Sequence, residues 1–359
     1  MRILHIIPSL NGGGAERQLS YLATELALLG HEVHIVYSKK GYYKPELPGV
    51  VLHQLKSRNN YDPYLLWQLV RLIRSIKPDI IQTWILQTDI LGGIAAKFCG
   101  IPWLFREPSS AKAYMSNWKH RLRIKIASKA NAIVSNSQGG DQYWKDKLPN
   151  SCRYIIANGI PIHEIDQIIG AMPIEFSKTD SPIVLYAGRL INLKNLDLFL
   201  REIANLIQKK KVKVILCGEG PQRYELEMLR NKLGLEKDVH FTGHLPNNSV
   251  WALMKIAKVF VSISKYEGCP NTVMEAIACG CPVVVSDIPA HREILDSNSA
   301  LLVDSSKFQE TANAILISIN DEEASNLRTI IAKRIIHKWS IPEMALEFER
   351  IYSNILNAI

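Results

Sequence analysis

Cysteine is scarce and unpatterned in this chain. Six cysteines stand in 359 residues, at positions 99, 152, 217, 269, 279 and 281. None forms a Cys-x-x-Cys pair and no histidine cluster accompanies them, which argues against a zinc framework. Cys217, Cys279 and Cys281 lie in apolar stretches and read as small core residues. A reducing cytosol is the matching compartment. No run of eighteen apolar residues occurs, so no segment reads as a spanning helix. Residues Met1-Arg2-Ile3-Leu4-His5-Ile6-Ile7-Pro8 are too short and too soon polar for a signal peptide, and read as a buried first strand. Low-complexity segments and short-period repeats are also missing. What is present is an ordinary globular composition, 47% hydrophobic and 21% charged, with length enough for two domains.

The net charge of +9 is unevenly spread. Residues 1–158 hold 21 Lys and Arg against 10 Asp and Glu, while residues 159–359 hold 22 against 24. The first part is therefore expected to meet an anionic partner or surface. Its most basic stretch runs from Lys112 to Lys129, with Tyr114, Met115, Trp118, Leu122, Ile124 and Ile126 interleaved. Such a segment suits a membrane interface, and equally a helix whose apolar face packs on its own sheet. Nucleic acid is not expected as a partner, since no recognised binding module appears.

The chain alternates strand-like and helix-like segments. Ile3 to Pro8 is short and apolar, a glycine run follows, and an amphipathic helix is predicted from about Ala15 to Leu29, ended by Gly30. Val33–Tyr37, Asp79–Trp84, Trp103–Phe105 and Ala132–Ser135 read as further strands. The pattern restarts after Asn158-Gly159-Ile160-Pro161, with strands predicted at Ile183–Ala187, Val214–Leu216, Val239–Phe241, Val259–Ile263 and Val283–Val285. This alternation predicts α/β architecture, two doubly wound Rossmann-like domains facing a central cleft at the C-terminal ends of their strands. Ser340 is placed to cap a final helix.

Three loops carry candidate chemistry. Gly12-Gly13-Gly14 joins the first strand to the first helix, where glycines let backbone amides approach a phosphate. A nicotinamide site fits poorly there, because Arg17 stands where a third glycine belongs and the second strand ends in Tyr37-Ser38. Gly188-Arg189, followed by Lys194, places two cations after a strand, where they would neutralise a departing diphosphate. Glu267-Gly268-Cys269-Pro270-Asn271-Thr272-Val273-Met274-Glu275 runs from a strand through an acidic loop into a helix. The amides of Asn271, Thr272 and Val273 would point from its first turn toward an anion. A glycosidase-like pair formed by Glu267 and Glu275 is disfavoured, since one precedes the helix and the other lies a turn into it.

The ordered set Gly12-Gly13-Gly14-Ala15-Glu16-Arg17, Gly188-Arg189-Leu190 with Lys194-Asn195, Gly218-Glu219-Gly220-Pro221, Phe241-Thr242-Gly243, and Glu267 to Glu275 running on to Asp287 resembles the retaining glycosyltransferases of family 4, which have the GT-B fold. The resemblance spans nearly the whole chain. It implies an acceptor-binding domain at 1–158, a donor-binding domain at 159–338, and a terminal helix at 339–359 crossing back to the first domain.

The implied activity is transfer of a hexose-type sugar from a nucleoside diphosphate donor, a UDP-sugar above all, to a hydroxyl of a saccharide or polyprenyl-linked saccharide in cell-surface glycan synthesis. Arg189, Lys194 and Glu267 are the implied catalytic residues. Gly13, Gly14, Gly188, Gly218, Pro270, Asn271, Thr272, Val273 and Glu275 are implied for the donor, with Glu267 at the sugar and Glu275 at the ribose. No Asp-x-Asp pair exists to hold a metal-diphosphate, and no metal or cofactor is expected.

The first domain departs from the family pattern. Arg106-Glu107-Pro108-Ser109-Ser110 stands where many relatives place a histidine, and Gln87 replaces another. Arg17 and Glu107 are the acceptor-side candidates, with a salt bridge from Glu107 to Arg106 or Arg17 as the plain alternative. His291 stands where many relatives carry a glycine pair and reads as a helix-start residue. Two rivals share the fold: a nucleotide-sugar epimerase and a non-catalytic sugar-nucleotide-binding scaffold. The expected location is the cytoplasm, peripheral at the inner face of the plasma membrane.

Overall fold

The computed structural model describes residues 1–11, 13–39, 47–57, 62–108, 118–168 and 181–358. Gly12, Ser109, Ser110, Lys112, Tyr114 and Met115, all named above, lie outside the described residues. The chain divides into two compact units, Met1–Gly159 with Trp339–Ile359, and Ile160–Lys338.

The first unit contains, in order, β1 (Arg2–Ile6), α1 (Gly14–Leu28), β2 (Glu32–Tyr37), β3 (Val50–Gln54), α2 (Pro63–Ile76), β4 (Ile80–Trp84), α3 (Leu86–Cys99), β5 (Trp103–Glu107), α4 (Trp118–Ala127), β6 (Ala132–Ser135), α5 (Gln138–Lys147) and β7 (Arg153–Ile155). Its strands form one sheet in the order β3-β2-β1-β4-β5-β6-β7, parallel throughout. The second unit follows with α6 (Ile162–Asp166), β8 (Ile183–Ala187), α7 (Leu196–Lys209), β9 (Lys213–Cys217), α8 (Arg223–Lys232), β10 (Val239–Gly243), α9 (Asn247–Ile256), β11 (Val259–Ser262), α10 (Asn271–Ala278), β12 (Val283–Ser286), α11 (Pro289–Arg292), β13 (Leu301–Val303), α12 (Glu310–Asn320) and α13 (Glu322–Ile336). Its parallel sheet has the order β10-β9-β8-β11-β12-β13. The last helix, α14 (Ile341–Asn357), belongs to the first unit.

Helix ends follow local chemistry. Asp62 accepts from Tyr64 N at 2.9 Å and Pro63 opens α2, while Ser340 caps α14 through Glu343 N. Strands β3 and β7 were not predicted. They lie at the two edges of the first sheet and none of their residues is buried, so neither carries the buried run of an inner strand.

Helix α14 lays Met344, Ala345, Phe348, Ile351, Tyr352 and Ile355 on the same apolar cluster as Leu19, Leu22 and Leu26 of α1. Their spacing is the single stripe of an amphipathic helix. Polar groups lie beneath it. Arg106 sits 5.0 Å from the Phe348 ring and 5.9 Å from that of Trp84, and donates to Asn158 Oδ1 at 2.9 Å. The hydroxyl of Tyr352 donates to Gln82. Gln18 of α1 clasps Gly159, donating to its carbonyl and accepting from its amide, each at 2.9 Å.

The opposite face of this sheet carries a buried ion cluster. Arg123 of α4 donates to Asp89 at 2.8 Å and to Glu107 at 2.8 Å, and its guanidinium lies 5.0 Å from the Trp144 ring. Trp144 also donates to Glu107 at 3.0 Å, and Thr83 to Asp89 at 2.6 Å. One guanidinium facing two carboxylates leaves an excess negative charge in the interior. Burial accordingly pushes the Asp89 carboxyl up to about 6. In α4, Ile124 and Ile126 pack inward on the apolar cluster of this face.

His5 of β1 is fully buried, accepts from Trp84 Nε1 at 3.4 Å, and is lowered by burial to about 3. An unfolded imidazole binds a proton below about 6.5, whereas this one resists until about 3. Stability therefore falls as pH drops through that window, by about 1.4 kcal/mol per pH unit. Urea unfolding at pH 7 and pH 5 should show the wild-type chain losing about 2 kcal/mol more than a His5→Asn variant. Equal losses would mean that His5 titrates normally.

Candidate active site

In the second sheet every strand ends at the same edge, because all pairings are parallel. Strand β8 pairs with β9 on one side and β11 on the other, so the crossover direction reverses between β8 and β11. Ligands of open α/β sheets bind at such a reversal, outside the carboxyl ends of the strands. The loops after these two strands carry Arg189 and Lys194 on one side, and Ser264, Glu267 and Asn271 on the other.

These loops meet. Lys194 Nζ donates to Glu267 Oε1 at 2.5 Å, and Lys265 N donates to the Leu193 carbonyl at 2.9 Å. Ser264 Oγ donates to the same Glu267 oxygen at 2.6 Å. Ser286 Oγ, at the end of β12, donates to the Ser264 carbonyl at 2.7 Å. His291 Nδ1 in turn donates to the Ser286 carbonyl at 2.7 Å. His291 is fully buried and its pKa is lowered, chiefly by burial, so it serves as a neutral brace. Three side chains thus stand behind Glu267. Arg189 is exposed, and among the described residues its guanidinium has no ion-pair partner.

The turn into α10 is partly self-satisfied. Asn271 N donates to Cys269 O at 3.0 Å and Val273 N to Pro270 O at 3.1 Å. Of the three amides expected to face an anion, Thr272 N alone has no such acceptor among the described residues. Glu275 is buried, with Oε2 accepting from Trp251 Nε1 of α9 at 3.2 Å. The sequence offered no hint of that indole.

Gly218 is required by close approach. Its φ is +140°, and a Cβ there would lie 1.9 Å from the Gly188 carbonyl oxygen. The Gly218 and Gly188 loops lie back to back, joined by Gly188 N to Cys217 O and Leu190 N to Glu219 O, each 2.9 Å. Gly218 therefore shapes the loop that presents Arg189.

Comparison with known proteins bears on the family. Residues 12–164 match the family model described as Glycosyltransferase Family 4, and residues 171–336 match that for Glycosyl transferases group 1. This chain is a glycosyltransferase of that family, with the GT-B fold. It is 27% identical, over 100% of both chains, to a Campylobacter jejuni protein named GalNAc-alpha-(1->4)-GalNAc-alpha-(1->3)-diNAcBac-PP-undecaprenol alpha-1,4-N-acetyl-D-galactosaminyltransferase. A second Campylobacter jejuni transferase, named for N-acetylgalactosamine-N,N'-diacetylbacillosaminyl-diphospho-undecaprenol, is 28% identical over 78% of this chain and 79% of its own. Anabaena HepE, solved in complex with UDP-glucose, superposes with a TM-score of 0.84 at 21% identity, covering 99% of this chain and 100% of its own.

The remaining candidates of the transferase lie in the first unit. Gly13 is the N-cap of α1 and Gly14 its first residue. The carboxylate of Glu16 crowds that turn: a Cβ on Gly13 would meet its Oε2 at 2.4 Å, and Ser9 Oγ donates to its Oε1 at 3.1 Å. An anion at this helix start competes with Glu16. Arg17 is half-buried on the same helix. Glu107 is fully buried and paired with Arg123, a partner the sequence did not suggest, and accepts from Trp144, so it holds α4 and α5 to the sheet. Ser264, Ser286 and the bracing role of His291 were missed, although serines closing β11 and β12 beside an acidic loop were a usable signal.

A Gly218→Ala variant should lose at least about 2 kcal/mol of stability, through backbone strain and the clash with Gly188. Thermal unfolding checks this. An unchanged melting temperature would show that the two loops are not in contact.

Proposed function

We propose that this transferase moves a hexose-type sugar from a UDP-sugar to a hydroxyl of a lipid-linked saccharide, with retention of anomeric configuration, in cell-surface glycan synthesis. The observation that carries the reading is the Lys194–Glu267 pair, braced by Ser264, beside exposed Arg189 at the sheet's reversal point. HepE structures holding UDP and UDP-glucose support the choice of donor, and the undecaprenol-linked substrate named for the Campylobacter relative supports the acceptor class. A Rhizobium meliloti relative named for lipopolysaccharide core biosynthesis supports the setting.

In this reading the diphosphate lies between Arg189, Lys194 and Thr272 N, where the α10 dipole adds to the attraction. As the bond from the anomeric carbon to phosphate oxygen breaks, negative charge grows on the diphosphate, and the two cations stabilise it more strongly than in the ground state. A donor gives Lys194 a phosphate and Glu267 a sugar hydroxyl, so each replaces its present partner. Glu267, held by Ser264, orients the sugar rather than attacking it. The acceptor hydroxyl then adds from the face the diphosphate leaves, and its proton passes to the departing phosphate oxygen. Two side-chain cations do the neutralising, so we read the reaction as needing no metal or cofactor. Glu275, oriented by Trp251, contacts the ribose in this reading. The first unit, with its excess of cations, receives the acceptor at the cytoplasmic membrane surface.

Screening nucleotide sugars for binding and slow hydrolysis identifies the donor, and NMR of the new linkage then tests the mechanism. The product should keep the donor's configuration, and Arg189→Ala should lower turnover at least about a hundredfold with folding intact. An inverted product would contradict the proposed mechanism. Near-normal turnover of the variant would remove Arg189 from the site.

A further inference from the structure

Helices α2, α3 and α4 lie side by side over one face of the first sheet, with α3 between the other two. Leu69 and Ile73 of α2, Ala95 and Ala96 of α3 and Ala127 of α4 fill the core beneath. Their outer surface has an unusual composition. Tyr64, Trp67, Phe98 and Trp118 are between 53% and 67% exposed. These are four of the six exposed large aromatic side chains among the described residues, gathered on three neighbouring helices.

Cations share that surface. Arg71, Arg74, Lys97, Arg121 and Lys125 are exposed. The only acid in the three helices is Asp89, which is buried against Arg123. The aromatic and basic groups are interleaved: the guanidinium of Arg71 lies 5.6 Å from the Trp67 ring, and that of Arg74 on α2 lies 5.3 Å from the Phe98 ring on α3. Tyr64 stacks on Trp67 with ring centres 5.5 Å apart.

We propose that this α2–α3–α4 face docks on an anionic lipid bilayer. Amphipathic rings favour the headgroup level, and guanidinium groups beside them meet lipid phosphates at the same depth. A second copy of this chain is a poor occupant, because a face with cations and no exposed acid repels its like. The proposal deepens the reading of a lipid-linked acceptor and rests on it for its purpose, but the contact itself needs no sugar.

The test is co-sedimentation, without nucleotide sugar, with vesicles of phosphatidylcholine and of phosphatidylcholine mixed with phosphatidylglycerol. Wild-type chain should pellet with the mixed vesicles and be released by salt. The pair Arg71→Glu with Arg74→Glu should lower partitioning at least about tenfold. Trp67→Ser with Phe98→Ser should lower it by about tenfold too, although the charge is unchanged. All four side chains point outward, so unfolding temperatures should stay within a few degrees of wild type.

Wild type remaining in the supernatant with mixed vesicles would overturn the proposal. So would aromatic variants that pellet like wild type, which is the behaviour expected of a soluble polyanion site. Aromatic variants that dissociate a dimer without changing vesicle binding would assign the face to a second copy instead. Vesicle binding that persists in a chain showing no donor turnover would leave this proposal standing and remove the catalytic one.

Discussion

The position of β8 in its sheet governs what the second unit can do. Because β8 pairs with both β9 and β11, the chain must leave in opposite directions on either side of it. That reversal opens a gap above the strand ends, and no other position in the sheet has one. The charged donor candidates of the second unit follow from it. Arg189 and Lys194 are carried by the loop leaving β8, and Glu267 with the α10 turn by the loop leaving β11. The Lys194–Glu267 contact then ties the two loops across the gap. Glycine at 218 lets the neighbouring loop pack tightly enough to hold Arg189 outward.

The first unit spends its polar residues differently. Its buried charges, Arg106, Arg123, Asp89 and Glu107, hold helices to the sheet. Removing one partner from such a cluster leaves a buried charge unmatched, which costs about 3–5 kcal/mol. The exposed cations are the ones free to meet an outside partner, and they concentrate on helices that carry no exposed acid.

Inner strands, the alternating order and the final helix cap were legible in the sequence, because each depends on short-range pattern. Val283–Val285 and Ala132–Ser135 announce themselves by composition alone. Edge strands β3 and β7 did not, since half-exposed strands dilute the apolar signal. In the site, Arg189, Lys194 and Glu267 were legible through the ordered motifs. Their partners were not: Trp251 reaches Glu275 from 24 positions away, and Arg123 reaches Glu107 from 16. Those contacts exist only once helices pack, so no local spacing encodes them. The same holds for His291, whose brace on the Glu267 loop depends on β11 and β12 lying side by side.

The central claim is that Lys194 and Glu267 form one unit, in which the diphosphate takes Lys194 from the carboxylate. Calorimetric titration of UDP into wild type, Lys194→Met, Glu267→Gln and the double variant tests it directly. The account predicts that Lys194→Met binds at least about tenfold more weakly. Glu267→Gln should bind more tightly than wild type, because Lys194 is no longer held by the carboxylate, while the double variant should bind no better than Lys194→Met. If Lys194→Met binds UDP like wild type, or the two changes are simply additive, the pair does not hold the donor and the account fails.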